Sequence, residues 1–187
     1  MRILGVDPGS RVTGWGVVDA SGWEIRFVAH GVIRAGDEDA LGPRLVRLAQ
    51  GLRSVIAEHG AEEVAIENVF TAKNARSALV LGHARGVLML AATEAGLPLH
   101  EYTPMQVKNA VTGAGRAEKE QVRAALTLQL GLTALPRPLD ASDALAIAIC
   151  HASVSRLAKR LPALLTETPA RGHALGNLRR NGRLRLR

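Results

Sequence analysis

Four carboxylates stand where a chain sets out groups for chemistry. Asp7 closes the apolar run RILGVD just before Pro8-Gly9, Glu67 closes EEVAIE, and Asp140 and Asp143 lie three residues apart at the start of DASDALAIAICH. Residues three apart share one side of a helix, and strands ending on one edge of a sheet bring their last residues together, so all four can share a cleft. Carboxylates packed that closely repel one another unless cations sit among them. Two Mg²⁺ roughly 3.5 to 4 Å apart would relieve the repulsion, activate a water and stabilise the leaving oxygen of a phosphodiester; Mn²⁺ is an alternative ion. Each acid alone has a plain reading: a turn at Asp7-Pro-Gly, an exposed acid at Glu67, favourable helix-terminus charges at Asp140 and Asp143. Glu67 is the hardest to read that way, because Asn68-Val69-Phe70 follows it in place of a turn cluster.

The elements that must position these acids follow from periodicity. Residues 2–7, 13–19 and 23–34 are apolar or alternating runs that read as three sequential strands, and 62–67 and 97–103 read as a fourth and fifth. Leu41, Leu45, Leu48, Leu52, Val55 and Ile56 recur at helical spacing until Gly60. A helix over 74–95 starts at Asn74, a suitable N-cap, and is apolar or small around most of its circumference, which predicts burial on more than one side. A short helix after Pro104, a Gly113-Ala114-Gly115 turn, a helix over about 117–130 and a last helix over about 140–160 complete the pattern. The order predicts a mixed α/β sheet with helices supplied by the crossovers.

Composition narrows the partners. The 187 residues carry 24 Lys and Arg against 17 Asp and Glu, a net charge of +7. Residues 1–155 hold 15 basic side chains against 16 acids, a net of −1, and residues 156–187 hold nine against one, a net of +8. A folded domain over 1–160 and a basic, flexible tail over 161–187 are therefore expected, with a polyanion as partner. Five aromatic residues rule out rows of stacking rings, so phosphates are the expected targets. One cysteine excludes a disulfide framework, and the six histidines fall at no paired ligand spacing, which argues against zinc. Cys150 and His151 read as structural. The N-terminus lacks a signal-peptide pattern and no apolar run is long enough to span a bilayer, so a cytoplasmic protein without membrane attachment is expected.

GVDPGSRVTGWGVVD, AIENVFTAKNARSALVLGHARGV and DASDALAIAICH, in that order and spacing from Met1 to about Arg160, resemble the successive signatures of the RuvC family of bacterial crossover junction endodeoxyribonucleases. The resemblance implies an RNase H-like fold of the retroviral-integrase superfamily, with a mixed five-stranded sheet flanked by helices. It implies a homodimer that resolves four-way Holliday junctions in recombination and repair. Symmetric Mg²⁺-dependent nicks in two strands of like polarity would leave 5′-phosphate and 3′-hydroxyl ends, in cooperation with the RuvA and RuvB branch-migration proteins. The family's acidic tetrad falls on Asp7, Glu67, Asp140 and Asp143; Asp143 replaces the histidine of some members, giving an all-carboxylate site. Lys108 and Lys119 match basic positions used on DNA or near the scissile phosphate, with Lys119 the candidate for stabilising developing negative charge.

Beside that site, Phe70 offers a ring to wedge or stack on an unpaired base, and Lys73 and Arg76 offer cations at the loop-to-helix junction. In the 74–95 helix, Gly82, Ala84, Gly86, Ala91 and Ala92 permit close approach, while Leu79, Leu81, Val87, Leu88, Met89 and Leu90 offer more apolar surface than one sheet face absorbs. Such a helix suits an isologous dimer contact, and a two-fold enzyme suits a two-fold junction. Two rival readings are a junction-binding protein without nuclease activity and a phosphate-binding ATPase-like fold. The intact four acids oppose the first; a length too short for two lobes opposes the second.

Overall fold

The computed structural model describes residues 1–36, 40–68 and 74–166, and side chains as far as residue 158. Three strands, β1 (Arg2–Asp7), β2 (Val12–Ser21) and β3 (Glu24–Arg34), form an antiparallel meander; β4 (Glu63–Glu67) and β5 (Leu99–Tyr102) add in parallel on the other side of β1. The sheet order is β3-β2-β1-β4-β5. Helices α1 (Leu41–His59) and α2 (Ala75–Glu94) supply the two crossovers, and α3 (Pro104–Thr112), α4 (Lys119–Gln129) and α5 (Leu139–Thr166) follow. This is the mixed five-stranded sheet that the pattern of runs predicts.

Alternation along β1 explains the two-sided core. Leu4 and Val6 face α1 and α2, with Val64 and Ile66 of β4, while Ile3 faces α5, with Ala65 of β4. On α1, Leu48 and Leu52 are fully buried at helical spacing, and Gly60 ends the helix at φ 61°, a conformation that costs glycine little. Asn74 caps α2 by accepting a hydrogen bond from the Ser77 amide, and Thr103 and Gln106 cap α3 reciprocally around Pro104.

α5 is the central helix of the second face. Ala141, Ser142 and all residues from Ala144 to Ala152 are buried, so it is covered by the sheet on one side and by α3 and α4 on the other. The sheet side is smoothed by glycine: a Cβ on Gly5 would run into the Ala144 carbonyl oxygen, one on Gly14 into that of Asp140, and one on Gly16 into Leu145. These three glycines set how closely α5 lies on β1 and β2. The helix runs on to Thr166, past the end at about 160 suggested by the sequence.

α2 differs from expectation. Within the chain it buries only Ala84, Leu88, Ala91 and Ala92; Leu79 is 65% exposed and Leu90 53%. α1 and the sheet cover one stripe, and the remaining apolar side lines an open groove with Leu45, Gly82, Gly86 and Val87.

Candidate active site

The turn after β1 fixes where Asp7 points. Thr13 Oγ1 donates to the Gly9 carbonyl at 2.9 Å, and the buried Arg44 guanidinium grips the Ser10 carbonyl through Nε at 3.1 Å and a terminal nitrogen at 2.5 Å. Asp7 is in register with Gly14, the residue on which the Asp140 backbone rests. Val6 pairs with Ile66, so Asp7 and Glu67 close adjacent parallel strands at one edge. Asp140 occupies the first turn of α5, and Asp143 follows one turn later. A cleft of about 310 Å³ is lined by Asp7, Glu67 and Asp143, by Lys108 of α3 and Lys119 of α4, and by Pro104, Val107, Val122 and Ala146. The fold thus brings Asp7, Glu67 and Asp143 into one cleft, while Asp140 stands outside its lining, near enough for its charge to act on Asp7 and Asp143.

Their electrostatics show negative charge concentrated beyond what the neighbouring cations offset. Burial, then the negative charges of Glu67, Asp143 and Asp140, push the Asp7 carboxyl up to about 8, with Lys119 pulling the other way. Burial and Asp143 raise Glu67, and Lys119 again opposes. Asp143 is raised by burial and by Asp140, against Lys119 and Arg123. An all-oxygen donor set whose protons are held this tightly fits a hard divalent cation, which would replace those protons and reward full ionisation. Among the described residues, ligand atoms within 4.8 Å of one another are found in a different trio, Glu63, His100 and His151.

The remaining sequence candidates divide. Lys119 opens α4 and Lys108 sits on α3, both at the cleft; Arg76 is exposed in the first turn of α2. Phe70 and Lys73 lie outside the described residues. Gly113 ends α3 at φ 74°, and Thr112 Oγ1 accepts from the Ala114 amide, so that glycine turn is a helix stop with its own internal bonds.

Sequence reasoning missed three features. Arg85 of α2 donates from Nε to the Glu67 carbonyl at 3.1 Å and forms an ion pair with Glu101, bracing the end of β4 from behind. Arg123, one turn after Lys119, lies close enough to Asp143 to stabilise its charge, and its buried Nε has no hydrogen-bond partner. An arginine one helical turn from a candidate lysine was the available signal there. The third is the Glu63, His100 and His151 trio, whose ligand atoms lie within 4.8 Å of one another: its members are 37 and 51 residues apart in sequence, so no spacing rule finds them.

Residues 3–151 match the family profile described as crossover junction endodeoxyribonuclease RuvC. The chain belongs to the RuvC family. It is thereby a crossover junction endodeoxyribonuclease, a hydrolase of Holliday junctions in DNA recombination and repair. The RuvC of Sorangium cellulosum is 47% identical over 171 residues, covering 91% of this chain and 95% of the relative. That of Pelobacter propionicus is 51% identical over 151 residues, covering 81% and 85%. Among solved structures, T. thermophilus RuvC in complex with Holliday junction substrate superposes with a TM-score of 0.80 at 36% identity, covering 84% of this chain and 96% of that one. RuvC membership also carries the RNase H-like fold. No helix among the described residues is long and apolar enough to cross a membrane.

Proposed function

We propose that this RuvC acts in the cytoplasm as a homodimer on four-way junction DNA, with Asp7, Glu67, Asp140 and Asp143 as the metal ligands of each active site. The observation that carries the reading is the cleft that Asp7, Glu67 and Asp143 share with Lys119, with Asp140 close enough to act on Asp7, whose carboxyl burial and the other three acids push up to about 8. Two Mg²⁺, or Mn²⁺ in their place, would supply Lewis acidity for activating a water and for stabilising the leaving oxygen. The chain's own residues do the rest. The strand-end acids and the α5 acids hold the charge that binds the cations, Arg85 keeps the end of β4 in place, and Lys119 faces the negative charge that builds on the phosphate during attack. Lys108, Lys73 and Arg76 hold the DNA backbone, and Phe70 wedges at the crossover. In-line attack leaves 5′-phosphate and 3′-hydroxyl ends.

The open apolar side of α2 supports the dimer, because pairing there would cover Leu79 and Leu90 and set two clefts about a two-fold axis. Paired nicks in strands of like polarity follow from that symmetry. RuvA and RuvB are the expected partners, and residues 161–187 a basic arm on DNA. The test is cleavage of a mobile synthetic four-way junction with the divalent ion varied. Paired symmetric nicks are expected with Mg²⁺ or Mn²⁺ and none in EDTA; equal cleavage in EDTA, or nicks in one strand only, would overturn the reading.

A further inference from the structure

The geometry points to a second cation site, formed by Glu63, His100 and His151 and suited to a borderline divalent metal of the Zn²⁺ class, on the same face of the sheet as the acidic cleft but at its other end. Glu63 starts the strand that Glu67 ends, four residues and roughly 13 Å away, and His151 lies eight residues, roughly 12 Å, beyond Asp143 along α5. The two sites share no residue.

Two imidazoles converge on one carboxylate oxygen. His151 Nε2 is 2.5 Å from Glu63 Oε2, and His100 Nε2 is 3.3 Å from the same atom. The rings stack with centroids 4.2 Å apart, and the three ligand atoms all lie within 4.8 Å of one another. Ligands at about 2.0 to 2.1 Å around a tetrahedral zinc are separated by roughly 3.3 Å. His100 and Glu63 already meet that spacing, and His151 and Glu63 need to open by less than 1 Å. Glu63 can supply the movement, because its side chain is 24% exposed while His151 is 1% exposed and held.

The hold on His151 is what a metal requires. Tyr102 Oη lies 2.7 Å from Nδ1, and a hydroxyl can either donate or accept. When it accepts, Nδ1 carries the proton and the Nε2 lone pair faces Glu63, with the Ser155 hydroxyl 3.2 Å from the same nitrogen. Such a partner on the far ring nitrogen is the usual companion of a ligating histidine. His100, 41% exposed, leaves the site open to solvent on one side, so an ion can enter and a water can take the fourth position. Two imidazole nitrogens and one carboxylate favour Zn²⁺, Cu²⁺ or Ni²⁺ over Mg²⁺, which prefers oxygen alone. The ligands come from β4, β5 and α5, so a bound ion would pin the buried helix to the parallel edge of the sheet.

The test uses the full chain, stripped with EDTA and returned to excess Mg²⁺, then titrated with ZnCl₂ by calorimetry and followed by thermal melting. One zinc per chain is expected, with melting raised by roughly 5 to 11 °C at a hundredfold excess over Kd. His100→Ala and Glu63→Gln, each checked for native circular dichroism, should weaken binding at least roughly tenfold and lose the melting shift. X-ray absorption of the zinc-loaded wild-type chain should show two imidazole nitrogens in the first coordination sphere, a readout that depends on no variant. An all-oxygen sphere, no zinc uptake in excess Mg²⁺, or unchanged binding by both variants would overturn the site.

Discussion

Replacing Asp7 by asparagine should make the metal-free protein more stable, not less, at neutral and alkaline pH. The folded carboxyl sits near 8 against an ordinary value of 3.8, so above about pH 4 the folded chain retains a proton that the unfolded chain has released. On that account stability is greatest below pH 4, falls as pH rises, and levels once pH passes about 8. Between pH 5 and pH 8 the difference spans about three pH units, or about 4 kcal/mol at 1.36 kcal/mol per unit. That figure is a ceiling, since water entry and relaxation of the cleft lower it. For a domain of this size it corresponds to at most roughly 8 to 16 °C of melting temperature. Glu67 and Asp143 are also raised, chiefly by burial, and because repulsion is mutual they ionise more readily once residue 7 can no longer carry charge, which widens the gap between the two proteins in the same direction. The assay is melting of wild type and Asp7→Asn in EDTA at pH 5 and pH 8. The wild type should lose more stability than the variant across that range, and adding Mg²⁺ at pH 8 should close the gap by stabilising the wild type alone. Parallel pH profiles for the two proteins, or a variant that melts lower than wild type at pH 8 without metal, would refute the electrostatic account of the cleft.

Two further outcomes follow from the open helix and the charged tail. Leu90→Glu should turn a two-chain species into one of single-chain mass, 19.8 kDa, in sedimentation at micromolar concentration, because a two-fold contact on α2 buries the new charge twice; a wild type that sediments at single-chain mass would remove α2 as the interface. Deleting residues 167–187 removes six arginines and one glutamate while leaving α5 whole, and should flatten the slope of log affinity against log salt on junction DNA by up to about 5; an unchanged slope would mean that the tail makes no phosphate contacts.

The strands and helices were legible because their signals are local. RILGVD alternates across two covered faces, and LGPRLVRLAQGLRSVIAEH keeps one apolar stripe before a glycine stop, so each announces its own element. The four acids were legible for a related reason: each sits at an element's end, and ends of adjacent elements converge. What α2 buries was not legible, since an apolar side left open to solvent and one that faces the core have the same composition. Arg85 and the Glu63, His100 and His151 trio escaped because their meaning lies in tertiary distance. Arg85 matters for the Glu67 backbone, an atom that no side-chain pattern represents. His151, next to Cys150 in an apolar run, reads as core; it is core, and its Nδ1 also meets the Tyr102 hydroxyl at 2.7 Å.

The glycines of GVDPGSRVTGWGVVD connect these levels. Gly5, Gly14 and Gly16 read first as parts of turns and strands, yet Gly5 and Gly14 meet α5 backbone, and the Gly16 contact is with the backbone and side chain of Leu145. A helix as apolar as ALAIAIC would pack on any smooth sheet; what the glycines fix is its depth. Depth decides whether Asp140 and Asp143 reach the level of Asp7 and Glu67, and whether His151, two turns further along, reaches Glu63. One packing distance therefore sets both clusters. Because the acids gather only when α5 is seated, the repulsion that raises Asp7 acts directly against that seating, and a cation in the cleft relieves it from one end of the helix. A zinc held by Glu63, His100 and His151 would seat the same helix from the other end, so the two ions should favour each other's binding although they share no ligand.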